Sequence, residues 1–314
     1  MSTYKEIRGS TITAVDSDPT NQLGEIFYNN TSRTLKAFNL GTASWTSSGS
    51  MSTARAGGGV ARSAPQTASL LFGGYVPPGA TAVNNTEEYN GSSWTNGGLL
   101  PGVARNCAGA GTQTAGLFCG GVSQSYKTYE YDGSSWTAGG DLSNIAHSEG
   151  QAAGLQTAAF IHNGSYTEEY NGSSWTNGGA PADGKIQGGT SGTLTAGISF
   201  GGEPISNVAE TYNGTSWTSI ASMNNNRQNN AGFGTTSSAV SAGGGPPPSG
   251  INVCEIYNGA SWSTTATLNT ARSQMQGSGS SNAGMVAGGW VGSPTNATEN
   301  FAGPAPNTVT IDTD

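Results

Sequence analysis

Charge is scarce in this chain of 314 residues. Lys and Arg number 11, Asp and Glu 19, and the net charge is −8. Nucleic-acid binders neutralise phosphates with a basic face, so so few cations on an acidic chain speak against nucleic acid as a partner. Histidine occurs twice and cysteine three times. Cys107, Cys119 and Cys254 are an odd, uneven set, which excludes a disulfide framework and leaves them as small apolar fillers. No Cys–His, Ser–His or zinc-spaced cluster is present, so no catalytic residue, metal or cofactor is expected. Long apolar runs are lacking too: none approaches the roughly 18 residues of a membrane helix. The start, Met1-Ser-Thr-Tyr-Lys-Glu-Ile-Arg8, has no signal-peptide stretch. Synthesis in a cytoplasm without membrane insertion is expected, and release by lysis or inside a particle stays open.

What is abundant is glycine, with 50 residues, and hydrophobic residues fall to 34%. Such compositions lean toward disorder. Regular repetition argues the other way. The unit Glu-x-Tyr-Asn-Gly-x-Ser-Trp runs from Glu87, Glu168, Glu210 and Glu255, with looser copies at Glu130 to Trp136 and from Lys36 to Trp45. Six of the seven tryptophans, Trp45, Trp94, Trp136, Trp175, Trp217 and Trp262, follow at spacings of 49, 42, 39, 42 and 45 residues. A period near 43 is that of a four-stranded propeller blade.

Upstream of each Tyr lies an apolar run ending in two glycines, as in Leu70-Leu-Phe-Gly-Gly74, Leu117 to Gly121, Ile198 to Gly202, Val240 to Gly244 and Met285 to Gly289; Phe160 to Gly164 is a degenerate member. A short apolar run bounded by turn residues fits a strand covered on both faces. Four strands per blade follow. Strand a is Gly- and Ala-rich (Arg55 to Val60), because inner strands crowd the axis. Strand b is the apolar run and strand c carries the Glu-x-Tyr. An Asn-Gly or Asp-Gly turn, expected as a two-residue hairpin, leads to strand d at the Trp, whose ring is expected to cover the gap to the next blade.

A Gly-Gly pair, then a spaced Tyr, then a Trp resembles kelch repeats over residues 50 to 301. The resemblance implies an all-β fold, a β-propeller of four-stranded blades, here a single domain over 1–314. The ends decide the blade count. Seven blades place a first blade at about 8–48, with Arg8 to Val15 as strand a and Trp45 on strand d. Five regular blades fill about 52–266, and a last one spans about 270–312 with Asn307 to Ile311 as strand d. Six blades would instead let the Trp45 strand complete the C-terminal sheet. Seven is favoured. The first unit departs from the pattern: Gly24 to Tyr28 and Arg33 to Phe38 form a b–c hairpin without Gly-Gly. That hairpin and the short, near-identical blades resemble propellers of tailed phages, marine ones in particular, which implies a virion or tail-associated role.

Each blade enters strand a with a basic residue 10 or 11 positions after the preceding Trp: Arg55, Arg105, His147, Lys185, Arg227 and Arg272, with Arg8 as the N-terminal member. One reading is structural, with each cation bonding carbonyls of a neighbouring blade or pairing with Glu87, Glu168, Glu210, Glu255 and Glu299. The other is an anion-binding mouth, since converging cations focus field even on an acidic protein and Arg forks suit carboxylate, sulfate or phosphate. The b–c loops share that end and vary from blade to blade, and varied loops on a rigid scaffold are where binding sits. Tyr75, Tyr126, Tyr166 and Trp290 are expected there as exposed aromatics.

A sialidase-like site would concentrate arginines and a Tyr–Glu pair in a few blades, whereas here they are spread by the repeat. A galactose-oxidase-like copper site would need more than His147 and His162. The expected function is therefore non-catalytic: a virion structural or tail-associated propeller binding virion proteins, or a host-surface glycan or protein, with homo-oligomerisation compatible. The alternatives are a cellular kelch-type interaction scaffold and, more remotely, a glycan-active enzyme.

Overall fold

The Asn/Asp-Gly turns set the hairpins. In each, the Asn or Asp side-chain oxygen accepts the backbone N–H groups two and three residues on: Asn90 from Ser92 and Ser93 (3.0 and 2.9 Å), Asp132 from Ser134 and Ser135, Asn213 from Thr215 and Ser216. The turn is thus a four-residue loop closed by the pair Tyr89–Trp94 and its counterparts, not the two-residue hairpin expected. Only the glycine takes a positive φ (94° at Gly91), and the Asn acts as a local cap in place of a second left-handed residue.

The computed structural model describes residues 13–18, 26–78, 80–143, 149–164, 166–245 and 250–311. Its strands form seven four-stranded sheets, the number expected, and the described residues contain no helix. The chain divides into two compact units, one of residues 44–302 and one of residues 1–43 with 303–314.

The larger unit holds six sheets, here called blades 1 to 6. Blade 1 comprises Gly59–Val60, Ser69–Phe72, Thr86–Tyr89 and Trp94–Asn96. Blades 2 to 5 repeat the meander, with inner strands Ala108–Thr112, Gln151–Leu155, Gly189–Thr193 and Ala231–Thr235. Blade 6 has Gln276–Gly279, Ala283–Ala287 and Thr298–Ala302, and its outer strand is Ser44–Ser48. The inner strands touch in cyclic order, and that of blade 6 meets that of blade 1. This corrects the strand membership expected at the ends. Trp45 lies opposite Phe301, with ring centroids 4.9 Å apart, which reproduces the Tyr89–Trp94 pair of blade 1. Phe301 occupies the repeat's tyrosine position, so Trp45 belongs beside it.

The tryptophans fasten each blade to the one before it, not to the next. Trp136, Trp175 and Trp217 donate Nε1–H to Thr86, Thr128 and Thr167 of the preceding blade at 2.8–2.9 Å. Trp94 does the same to Thr298 of blade 6 and closes the ring. The tyrosine hydroxyls work in parallel. Tyr131 donates to Glu88 (2.6 Å) and Tyr170 to Glu130 (2.5 Å), each across a blade boundary. The core between blades is apolar and aromatic: Phe72 and Phe118 are fully buried, and Trp136 packs on Phe72 at 4.9 Å.

In the smaller unit, Ile26–Asn29 and Thr34–Leu40 form the expected hairpin, and Pro306–Thr310 pairs antiparallel with Thr34–Leu40. Thr13–Val15 runs parallel to Ile26–Asn29. A strand a joined to strand b by a short turn must be antiparallel, so Thr13–Val15, the described end of the segment expected as strand a of a first blade, does not take that place.

Candidate functional site

Three of the expected mouth cations are swallowed by their blades. Arg55, Arg227 and Arg272 are at most 1% exposed. Each guanidinium caps the Gly-Gly corner and grips the carboxylate of strand c. In blade 5, Arg227 donates to the Val253 carbonyl (2.9 Å), the Gly243 carbonyl (3.3 Å) and Glu255 Oε1 (2.5 Å). Arg55 holds Glu87 at 3.1 Å, and Arg272 holds Glu299. The second carboxylate oxygen of each Glu accepts a backbone N–H from the segment leading into the blade, from Ser52, Asn224 and Asn269, all at 2.7 Å. Burial pushes Arg55 down to about 10, against the pull of Glu87, and lowers Arg227 and Arg272 as well. These arginines carry no free positive potential to a mouth. The structural alternative holds for them, because a repeat that supplies Arg and Glu at fixed positions can pair them inside one sheet.

In blades 2 and 4 the pair is broken. Blade 2 has Tyr129 in the place of the buried Glu, and Arg105 stays half-buried with no ion pair among the described residues. In blade 4 Lys185 turns to Asp183 (3.7 Å), while Glu210 accepts the Ala182 N–H. Arg8 and His147 lie outside the described residues.

The mouth these residues approach is closed by backbone. Gly57, Asn106, Glu149, Gln187, Asn229 and Gln274 all have φ between 51° and 71°. Each donates its N–H to the carbonyl of the preceding member, Asn106 to Gly57 (2.6 Å) and so on round to Gly57, which donates to Gln274 (3.1 Å). The six hydrogen bonds form a closed circle around the axis. Side chains crowd the circle: Asn106 donates to Glu149 Oε1 (2.8 Å), and the cavity there is about 60 Å3. The expected ring of cations is in fact a ring of amides and one carboxylate. Sequence reasoning passed over it because the five non-glycine members share no single residue type. Their common trait is a left-handed backbone, which Asn tolerates and Gln and Glu rarely adopt.

The loop aromatics divide. Tyr126 and Tyr166 are exposed, each at 48%. Tyr75 is buried, contrary to expectation: its hydroxyl donates to Gln274 Oε1, and its ring lies 6.3 Å from half-buried Trp290. The two rings wall a cleft of about 480 Å3 with Pro77, Ala80 and Pro294. Ile205 and Val291 are exposed on the b–c loops of blades 4 and 6.

The cysteines are free and buried, with Cys107 pushed up to about 12 and Cys254 to about 11 by burial. They are protonated at neutral pH and act as packing groups. His162 is buried against Phe160 and Trp217. Among the described residues no three His, Cys, Asp or Glu side chains converge.

One cation the sequence reading missed lies inside the channel. Arg62 follows the inner strand of blade 1 and is 9% exposed. The position five residues beyond each member of the backbone circle is a glycine at positive φ in the other blades: Gly111, Gly154, Gly192, Gly234 and Gly279. An alignment of inner strands shows Arg62 as the odd member.

This is a propeller of kelch-like, four-stranded blades. No protein-family model matches the chain, and none of the curated proteins matches it. Among solved structures it is similar to YjhT, with a TM-score of 0.64 at 12% identity over 84% of this chain and 97% of that one. At that identity the likeness is one of fold.

Proposed function

We propose that the chain is a non-catalytic binding propeller whose working face is the b–c loop end of blades 1 to 6. The observation that carries this reading is the division among its aromatic and charged groups. The repeated ones (Trp, Tyr, and the Arg–Glu pairs of blades 1, 5 and 6) are consumed between or within blades. Those outside the repeat stand in solvent: Tyr126 on the b–c loop of blade 2, and Tyr166 at the start of strand c of blade 3, next to its b–c turn. Exposed aromatics on a rigid scaffold stack on sugars or anchor a protein partner. The setting we propose is a virion, with the propeller attached to a tail or capsid and contacting a host-surface glycan or a fellow virion protein. The resemblance of its short, near-identical blades to phage propellers supports that setting.

The test is an array of acidic and neutral glycans and of host-envelope extracts, probed with the wild type and a folded Tyr126→Ser/Tyr166→Ser variant. Binding that falls at least tenfold in the variant supports the reading. Unchanged binding moves the face elsewhere, and recovery of the protein from lysates but never from purified particles ends the virion setting.

A further inference from the structure

A buried guanidinium normally has a carboxylate or a full set of carbonyls around it, because an isolated buried charge is costly. Arg55, Arg227 and Arg272 obey the rule. Arg62 does not. Among the described residues it has no ion pair; its one hydrogen bond runs from Nη1 to the Gly232 carbonyl at 3.5 Å, the limit for such a bond. Gly232 belongs to blade 5, so the side chain reaches across the axis past blade 6. Its Nε is buried without a partner, as are those of the three paired arginines, so what sets Arg62 apart is the missing carboxylate. Burial pushes its pKa down to about 10, which leaves it charged at neutral pH.

The surroundings are shaped for something to meet it. Arg62 borders two cavities, the small one beneath the backbone circle and a larger one of about 430 Å3 at the opposite, a–b turn mouth. The larger cavity is lined by small and hydroxyl residues, including Ser63, Thr193, Thr235 and Ser280, and Arg62 is its only charged lining residue among the described residues. An anion approaching from that mouth meets hydroxyls, backbone and then a guanidinium; the carboxylate of Glu149 lines only the small cavity on the far side. The Ser191 hydroxyl, on the inner strand of blade 4 that contributes Thr193 to this mouth, is buried and also lacks a partner. Buried polar groups left unpaired in a native fold point to an unseen water or ion.

We propose that the propeller channel binds one small anion, an inorganic oxyanion or a carboxylate, against Arg62, entering through the a–b mouth. This site is separate from the b–c loop face and stands or falls independently of it. A ligand that binds only the folded chain raises its melting temperature saturably. Sulfate also stabilises proteins by exclusion from their surfaces, so the readout is the difference between the wild type and Arg62→Met. At constant ionic strength against chloride, the wild type is expected to gain a few degrees with saturation in sulfate, Arg62→Lys less, and Arg62→Met only the unsaturable part. Acetate in place of sulfate separates carboxylate from oxyanion preference. In anion-poor buffer Arg62→Met is expected to be at least as stable as wild type, since an unpaired buried charge is gone. Equal saturable gains in wild type and Arg62→Met, or no saturable gain in wild type, overturn the proposal. Should Arg62→Met fail to fold, wild-type crystals soaked in selenate decide: an anomalous peak against the guanidinium supports the site, and its absence refutes it.

Discussion

Blades 1, 5 and 6 and blades 2 and 4 share one repeat and treat its basic residue differently. In the first set an Arg and a Glu some 30 residues apart lock together in a dry interior and tie the incoming segment, strand b and strand c into one unit. In the second set one partner is changed: Tyr129 replaces the Glu in blade 2, and Lys185 replaces the Arg in blade 4. There the cation stays half-buried. A position in a repeat is therefore not a role. At this position of the repeat the charge is buried where its partner stands in the same sheet, because desolvation of an unpaired ion outweighs the packing gain.

The sharpest break of that contrast is in blade 5. Glu255→Ala strands Arg227 in the interior and is expected to destabilise by roughly 3–5 kcal/mol, while Arg227→Met/Glu255→Leu recovers most of the loss. Chemical denaturation of the two variants measures both. Strand b supplies the next contrast. A Cβ on Gly284 would lie 2.1 Å from the Phe233 ring, whereas one on Gly116 in blade 2 would meet only the tip of Leu70 at 2.5 Å. Gly284→Ala is expected to cost about 1–3 kcal/mol by overpacking, and Gly116→Ala distinctly less, read from the same denaturation curves.

The tyrosine ties give a smaller and pH-dependent effect. Tyr131→Phe removes the hydroxyl bond to Glu88 and is expected to cost about 1 kcal/mol. Tyr257→Phe, whose counterpart position in blade 4 is Thr211 and not Glu, should stay within about 0.5 kcal/mol. Burial, helped by the Glu88 bond, raises Tyr131 to about 12, above its unfolded value near 10. Its contribution is therefore complete below pH 10 and lost as pH rises through about 12, so Tyr131→Phe flattens the alkaline fall in stability across that window. Smallest of all, Arg105→Ala is expected to shift stability by no more than about 0.5 kcal/mol, in contrast to the loss at Glu255.

Much of the fold was legible. The Gly-Gly corners, the Glu-x-Tyr strands and the Trp strands lie where the repeat put them, and four strands per sheet followed from the period. The ends were not. Ser44 to Ser48 and Asn307 to Ile311 are both short polar strands, and either could have completed the last repeat. Trp45 settled the matter by its fit against Phe301, a contact between residues at opposite ends of the chain. The candidate site was half legible. The basic positions were visible, and so was the pairing with Glu as one of two readings, but the inward course of Arg55, Arg227 and Arg272 was not. Tyr75 looked like a loop aromatic, and only its contact with Gln274, some 200 residues away, explains its burial.

What the sequence by itself determined is therefore local and periodic: strand pattern, turn chemistry, blade content and the residues that repeat. These depend on contacts within one 43-residue unit, which repetition prints over and over. Tertiary structure alone decided which strand closes the ring, that six left-handed residues join in a circle of hydrogen bonds, and that Arg62 meets no carboxylate partner among the described residues of the channel. Each of these rests on groups far apart in the chain meeting at the axis or across the closure, and no spacing within a single repeat encodes that meeting.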